Sequence, residues 1–220
     1  MADPLRIDAE RLHADLAALA EIGRGEEPGL HRMAFSEGDV AGRAWFTERL
    51  RAAELEPRID GAANLGARLA GREELPAVMT GSHLDTVPGA GQLDGALGVV
   101  CGLEALRVIQ EADLGLRRPI ELVSFSDEEG RFGGMLGSQA MSGKLTPEAI
   151  EQARDLDGTS LADAMSARGH RALDALSAER EPMITRCPAL AQRRARPVPR
   201  SPVPPRMARV FLLSLMSRSS

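Results

Sequence analysis

The composition of the chain changes abruptly near residue 182, and this change confines a compact fold to the residues before it. All 32 acidic residues and all 22 glycines of the 220-residue chain lie in residues 1–181. Residues 182–220 hold eight arginines and half of the 14 prolines. Proline fixes φ and lacks a backbone N–H, so the proline run at 197–205 excludes a helix there. We therefore expect a folded unit over residues 1–181 and a disordered Arg/Pro-rich tail over residues 182–220.

Two interpretations of this tail stay open. Twenty-six arginines against one lysine are typical of GC-rich coding DNA, and such DNA read out of frame yields mainly Arg, Pro, Ser and Ala. The favoured interpretation is therefore a shifted reading frame from about residue 182. The alternative is a genuine basic extension, because runs of Arg or Lys often serve as interaction segments.

Helix-type and strand-type patterns alternate through the first 181 residues. Helical spacing or capping boxes predict helices that cover or begin at 7–22, 36–50, 95–110, 146 and 160. Short β-type runs predict strands at 55–59, 64–69, 76–80 and 118–125. This alternation predicts an α/β fold with a mixed, largely parallel sheet flanked by helices. Within it, we expect the 76–80 strand to be buried and Cys101 to be a small core residue.

Composition excludes several classes of protein. Hydrophobic residues make up 43% of the chain, and charged residues 27%, which is ordinary for a globular domain. No apolar run approaches the ~20 residues that a membrane span needs, and the N-terminal sequence does not resemble a secretory signal. Two cysteines fit a reducing cytoplasm, and a net charge of −5 argues against nucleic acid as a partner. We expect a cytoplasmic protein that binds neither membrane nor nucleic acid.

Five polar residues follow predicted strands in a pattern typical of a metal site. Residues i and i+2 share a face at a strand end, so Asp85 can accept a hydrogen bond from the ring of His83 and orient it as a ligand. Asp94 precedes a glycine that opens a helix, and the pair Glu128 and Glu129 follows the apolar 118–125 strand. These are the parts of a two-metal hydrolase: His83, a bridging Asp94 and Glu129 hold the ions, and Glu128 is the general base for the water that they activate.

The same residues also allow simpler interpretations. Taken singly, a histidine or a Glu-Glu pair is more often a surface or structural feature than a catalytic one. The glycines Gly89 and Gly91 hint at a dinucleotide-binding loop, but Asp94 occupies the third glycine position. The metal-site interpretation therefore depends on all five residues acting together.

The surrounding segments resemble a known family. Segments 31–39, 81–88, 94–99 and 127–140 are similar in sequence to the zinc-dependent amidohydrolases. These are the enzymes related to N-carbamoyl-L-amino-acid hydrolase, allantoate amidohydrolase and β-alanine synthase. The resemblance covers about residues 5–180 and implies the N-terminal part of a zinc-aminopeptidase-like catalytic domain. It implies two divalent metal ions, with zinc expected and manganese or cobalt as alternatives. The implied reaction is hydrolysis of a carbamoyl or ureido C–N bond in a small-molecule substrate.

The chain departs from this family in its last forty residues. Family members supply a further histidine ligand from a segment that would fall in the 190s, where this chain reads Leu190-Ala-Gln-Arg-Arg-Ala-Arg196. They also carry a dimerisation and lid domain, which is missing from this chain, and then a last histidine ligand. Members of the family are homodimers. Each ion would keep two protein ligands, so we expect weakened metal binding and no activity. The alternative function is therefore a catalytically inactive remnant or binding fragment.

Overall fold

The computed structural model describes residues 5–178, so the predictions for the 182–220 tail lie outside the described residues. The helices are α1 (Ala9–Ala20), α2 (Glu37–Ala52), α3 (Ala96–Glu111), α4 (Leu136–Met141), α5 (Pro147–Gln152) and α6 (Leu161–Ser166), followed by a 3₁₀ helix (Ala172–Ala178). The strands are β1 (Pro57–Ile59), β2 (Leu65–Leu69), β3 (Val78–His83) and β4 (Ile120–Phe125).

Side-chain caps explain where four of the helices begin. An oxygen of each capping side chain accepts a hydrogen bond from the backbone N–H three residues later, which satisfies a donor that the helix itself cannot. The capping residues are Asp8, Ser36, Thr146 and Ser160, with distances of 3.0 to 3.3 Å. The helix starts predicted at Ser36, Thr146 and Ser160 are confirmed.

The four strands form one mixed sheet in the order β1-β2-β4-β3. β3 pairs with β4 in parallel, whereas β1–β2 and β2–β4 are antiparallel. The mixed sheet with flanking helices is confirmed, but within residues 5–178 its parallel part is a single pairing. For β1 and β2 the reason is local, because a short turn joins them and a short connection allows only antiparallel pairing.

The two burial predictions are wrong. β3 is largely exposed, with Val78 at 53%, because β4 is its only partner among the strands described. Cys101 is also exposed. α3 turns Gly102 towards Leu122 and Thr80 of the sheet, so the helix approaches the strands through a glycine and Cys101 lies on another face.

Two apolar clusters stabilise the fold. One packs α1, α2 and α3 on the sheet through residues such as Phe46, Leu103 and Leu122. The second lies among α4, α5, α6 and the 3₁₀ helix, around Met165 and Ile150. Sequence analysis did not predict α4 or the 3₁₀ helix. No helix within residues 5–178 combines the length and the apolar character that crossing a bilayer requires.

Candidate metal centre

The polar residues singled out in the sequence converge at one end of the sheet, where β3 and β4 finish. His83 is the last residue of β3, and Glu128 and Glu129 follow the end of β4. Because β3 and β4 are parallel neighbours, their carboxyl ends lie side by side, where ligand sites form in open α/β sheets. Asp94 reaches the same place from the turn that precedes α3.

One nitrogen and two carboxylates are placed to share a cation. Ligand atoms of His83, Asp94 and Glu129 all lie within 4.8 Å of one another. The Nε2 atom of His83 is 3.8 Å from Oδ1 of Asp94, whose side chain is 70% exposed. Imidazole nitrogen and carboxylate oxygen are ordinary zinc ligands at about 2.0–2.2 Å, so small side-chain rotations bring the three atoms within reach of one ion. The residues present therefore fit a divalent metal.

Glu128 lies beside this group. Its Oε2 atom is 3.4 Å from Nε2 of His83, and its side chain is 32% exposed. A carboxylate at this distance from the ligand atoms, and open to solvent, can exchange a proton with a molecule bound next to it.

The contact that orients His83 differs from the predicted one. Nδ1 of His83 is 2.9 Å from the backbone carbonyl oxygen of Asp85, whereas Oδ1 of the Asp85 carboxylate is 3.9 Å away. That second distance is too long for a hydrogen bond. The predicted carboxylate contact is therefore replaced by a main-chain one, because the turn after β3 points the carbonyl at the ring. A carbonyl acceptor on Nδ1 leaves Nε2 as the metal-facing atom.

The Asp85 carboxylate instead joins the two strand ends. Its Oδ2 atom accepts a hydrogen bond of 3.1 Å from the backbone N–H of Glu129. Its Oδ1 atom is fully buried and has no hydrogen-bond partner among the described residues. Asp85 thus fixes the position of Glu129 relative to β3.

Burial and carboxylate crowding raise pKa values around the group. Burial raises the pKa of Asp85 to about 6, against the lowering effect of the Glu129 N–H. Burial also raises the pKa of Glu129; His83 opposes this shift, and the nearby carboxylates of Asp94 and Glu128 add to it. Neighbouring carboxylates repel one another, and a bound cation would relieve that repulsion.

Gly95 allows the close approach of α3 to the histidine. It adopts a φ of +62°, and a Cβ atom there would lie 2.5 Å from Nδ1 of His83. A residue with a side chain would therefore displace the ring, so glycine is needed for both conformation and space.

Two supporting residues were not found by sequence reasoning. Arg32 is fully buried and donates to the carbonyl oxygens of Leu84, Leu19 and Ile22, which ties the segment between His83 and Asp85 to α1. Asp127 has a φ of +46° and accepts a hydrogen bond of 3.2 Å from the N–H of Phe132, which closes the loop that carries the two glutamates. No local pattern in the sequence marks either role. Arg32 binds carbonyls that are distant in the sequence, and Asp127 binds an N–H group that reaches it only because the following loop folds back.

Comparison with known proteins shows the family of the chain. The family model described as peptidase family M28 matches residues 64–202. The chain belongs to peptidase family M28.

Relatives of this M28 chain carry amidohydrolase names. An N-carbamoyl-L-amino acid amidohydrolase of Geobacillus stearothermophilus is 39% identical over 186 residues, which are 83% of this chain and 44% of the relative. The allantoate amidohydrolase of Escherichia coli (strain K12) is 32% identical, over 73% of this chain and 40% of that enzyme. The crystal structure of a hydantoinase/carbamoylase family amidase from Burkholderia ambifaria has a TM-score of 0.72 and 38% identity, over 76% of this chain and 42% of that one. The M28 chain thus spans less than half the length of these relatives.

Proposed function

We propose that residues 5–178 form the metal-binding part of a hydrolase that cleaves linear carbamoyl or ureido C–N bonds. The substrates we propose are N-carbamoyl-L-amino acids or allantoate, as the names of the relatives suggest. The observation that carries the proposal is the convergence of His83, Asp94 and Glu129 at the ends of two parallel strands. Cys101 is exposed and forms no disulfide within residues 5–178, which favours the reducing cytoplasm as the location.

The proposed ligands are His83, Asp94 and Glu129, which would hold divalent metal through one imidazole nitrogen and two carboxylates. When bound, zinc would polarise the substrate carbonyl and lower the pKa of water, and manganese or cobalt could do the same. The main-chain carbonyl of Asp85 holds the His83 ring with Nε2 towards the site. The Asp85 carboxylate holds the backbone of Glu129.

Glu128 is the proposed general base. It lies next to the ligand group without belonging to it, and it is open to solvent on one side. In this role its carboxylate accepts a proton from the attacking water and delivers it to the departing nitrogen. The carboxamide of a Glu128→Gln variant has the same shape but cannot accept that proton.

A second candidate function is a metal-binding fragment without turnover. The chain contains four histidines, and the ligand group found within residues 5–178 includes one of them, His83. A two-metal site needs both ions held firmly with an open position for substrate, and the loss of even indirect partners costs about 10–100-fold in affinity or activity. This observation favours a weak metal site in the 220-residue chain.

Zinc titration of the purified 220-residue chain tests the proposal. We expect zinc binding in wild type, and a loss of at least about tenfold in affinity for His83→Ala and for Glu129→Gln. His13→Ala on α1 is the matched control and should bind zinc like wild type. Absence of zinc binding, or binding that His83→Ala does not change, would overturn the proposal.

A turnover assay separates the two candidate functions. With N-carbamoyl amino acids or allantoate and added zinc, manganese or cobalt, we expect no measurable hydrolysis by the 220-residue chain. Hydrolysis that disappears in Glu128→Gln would instead show that this chain holds a complete active site with Glu128 as its base. Hydrolysis that survives Glu128→Gln would exclude Glu128 from that role.

A further inference from the structure

The loop between β4 and α4 carries both glutamates of the candidate metal centre. We call residues 126–135 the glutamate loop; it begins directly after β4 and ends where α4 begins. The backbone N–H groups of residues 135–137 donate hydrogen bonds of 2.9 to 3.3 Å to the carbonyl oxygens of residues 126–128. The loop therefore doubles back on itself, and the positions of Glu128 and Glu129 depend on what holds its two arms together at the base.

Asn64 lies at that base, although it precedes Ser126 by 62 residues in the chain. It is 3% exposed and stands directly before β2. Its Oδ1 atom accepts a hydrogen bond of 3.1 Å from the backbone N–H of Ser126, and its Nδ2 atom donates one of 3.1 Å to the carbonyl oxygen of Gly137. One side-chain amide thus joins the start of the glutamate loop to the helix that follows it.

The end of the β2–β4 ladder explains why a side chain is needed here. The last pair of the ladder towards the candidate metal centre is Leu65 with Ser124. Beyond this pair, Ala63 adopts a φ of +59°, and the chain bends into the turn that leads back to β1. Main-chain pairing therefore stops before Ser126, and the amide of Asn64 supplies the next hydrogen bond to β4 in its place.

Asp60 fixes the orientation of the amide. Its Oδ2 atom accepts a hydrogen bond of 3.0 Å from Nδ2 of Asn64, and its Oδ1 atom accepts one of 2.9 Å from the Asn64 backbone N–H. The amide nitrogen therefore faces Asp60 and Gly137, whereas the oxygen faces Ser126. The position needs a side chain that donates and accepts at once, because a carboxylate only accepts and a leucine does neither.

Gly137 leaves the amide no room to shift. A Cβ atom at this position would lie 1.9 Å from Oδ1 of Asn64 and 2.7 Å from the backbone nitrogen of Ser126. α4 therefore packs directly against the amide. Any displacement of Asn64 must move Ser126 or α4, and the glutamates between them would move as well.

We propose that Asn64 is a positioning residue for Glu128 and Glu129. It closes the base of the glutamate loop, and the Asp85 carboxylate binds the backbone N–H of Glu129 from the side of β3. Together, the two contacts place both glutamate side chains beside His83. The inference rests on the hydrolase function proposed above and adds a residue that acts on the same site through the backbone.

Zinc titration of the 220-residue chain tests the role of Asn64. Asn64→Leu keeps a similar volume and removes the hydrogen bonds of the amide, so we expect a loss of about 10–100-fold in zinc affinity, as for other supporting partners of metal ligands. Leu50→Ala, at a fully buried leucine of α2, is the control: it should lower stability and leave zinc affinity unchanged. Equal zinc affinity in wild type and folded Asn64→Leu, or an equal loss in Leu50→Ala, would overturn the inference.

Hydrogen exchange followed by NMR gives a local measurement that needs no metal. In zinc-free wild type, the Ser126 amide should exchange as slowly as the amides within β4, because Asn64 holds it. In Asn64→Leu, exchange at Ser126 and at residues 135–137 should accelerate at least about tenfold relative to β4, whereas Leu50→Ala should not affect these amides selectively. Rapid exchange of Ser126 in wild type, or no selective change in Asn64→Leu, would contradict the role of Asn64.

Gly137→Ala tests the same contact from the other arm of the loop. The added Cβ must displace the amide of Asn64, so zinc affinity should fall as it does in Asn64→Leu. Gly91→Ala is the matched control, because a Cβ there meets nothing within 4 Å. Equal zinc affinity in the two glycine variants would overturn the inference. If neither Asn64→Leu nor Gly137→Ala folds, the exchange rate of Ser126 in wild type decides.

The two kinds of measurement keep this inference apart from the proposed function. Zinc binding that depends on His83 but not on Asn64 would overturn the positioning role alone. Selective loosening of the glutamate loop by Asn64→Leu, in a chain that binds no zinc even as wild type, would support that role and overturn the metal-dependent function.

Discussion

At the scale of single residues, Gly95 decides where the His83 ring can lie. We predict that Gly95→Ala lowers zinc affinity by about 10–100-fold, as expected for disturbing a residue that supports a ligand. The added Cβ would come within 2.5 Å of Nδ1 of His83, and alanine is strained at a φ of +62°. Gly91→Ala is the control, because a Cβ there meets nothing within 4 Å. Equal zinc affinity in the two variants would contradict the role given to Gly95.

Arg32 is the second residue whose effect can be measured alone. Its guanidinium satisfies the carbonyls of Leu84, Leu19 and Ile22 inside the protein. We predict that Arg32→Met lowers the free energy of unfolding by about 2–4 kcal/mol, because buried carbonyls lose their donors.

Chemical denaturation at neutral pH measures this loss for Arg32. The control is Arg24→Met, which removes an ion pair with Glu21 between two well-exposed side chains and should cost less than about 1 kcal/mol. If the two variants are equally stable, the hydrogen bonds of Arg32 do not hold the segment before Asp85.

At the scale of elements, an ionic network joins α1, α2 and α3. Glu104 of α3 accepts hydrogen bonds from the Arg11 side chain at 2.8 Å and from the Asp8 N–H at 2.9 Å. Asp15 of α1 pairs with Arg107 at 2.6 Å and with Arg49 of α2 at 3.2 Å. The network therefore fixes α1 and α2 against the helix that begins at the candidate metal centre.

The network makes stability depend on pH. Burial tends to raise the pKa of Glu104, but the hydrogen bonds from Arg11 and Asp8 outweigh it, and the pKa lies below its ordinary value of 4.5. A lowered carboxyl pKa stabilises the fold above the unfolded value, and this contribution is lost as the pH falls from about 4.5 through the folded value.

We predict that Glu104→Gln lowers the free energy of unfolding by about 1–3 kcal/mol at pH 7. The difference from wild type should shrink as the pH falls from 4.5 through the lower pKa of folded Glu104, since the wild-type carboxylate then becomes protonated in the folded protein as well. Urea unfolding at several pH values measures both effects. Glu148→Gln, at an exposed glutamate of α5, should change stability by less than about 0.5 kcal/mol at any pH. A wild-type-to-Glu104→Gln difference that is constant with pH would show that the charge of Glu104 is not what stabilises the contact.

At the scale of the whole molecule, the sheet leaves β3 with an open edge among the described strands. Val78 on that strand and Leu97 on the neighbouring helix α3 are 53% and 42% exposed. Open strand edges beside apolar surface favour association of chains. We predict concentration-dependent self-association that the double variant Val78→Lys, Leu97→Glu reduces.

Sedimentation velocity over a range of concentrations checks this prediction. Leu173→Glu, at an equally exposed leucine of the 3₁₀ helix, should leave association unchanged. Association that persists in the double variant would show that another surface is responsible.

Much of the fold followed from local signals in the sequence. The start of α2 at Ser36 and the start of α6 at Ser160 depend on side-chain caps three residues apart, and an apolar run marks the β4 strand at 120–125, so sequence reasoning predicted all three. α4 carries no side-chain cap and begins after a left-handed Met135, so it offered no such signal.

For the candidate site, the sequence by itself determined which residues could serve as metal ligands, because ligand chemistry belongs to the side chains of His83, Asp94 and Glu129. Their role as ligands stays a prediction. The tertiary structure alone decided that the Asp85 carbonyl, rather than its carboxylate, holds the ring, and that Arg32 supports the same turn. It also decided that Cys101 and β3 are exposed. These features depend on the direction of carbonyl groups and on which elements meet across long separations, and no spacing of residues along the chain encodes them.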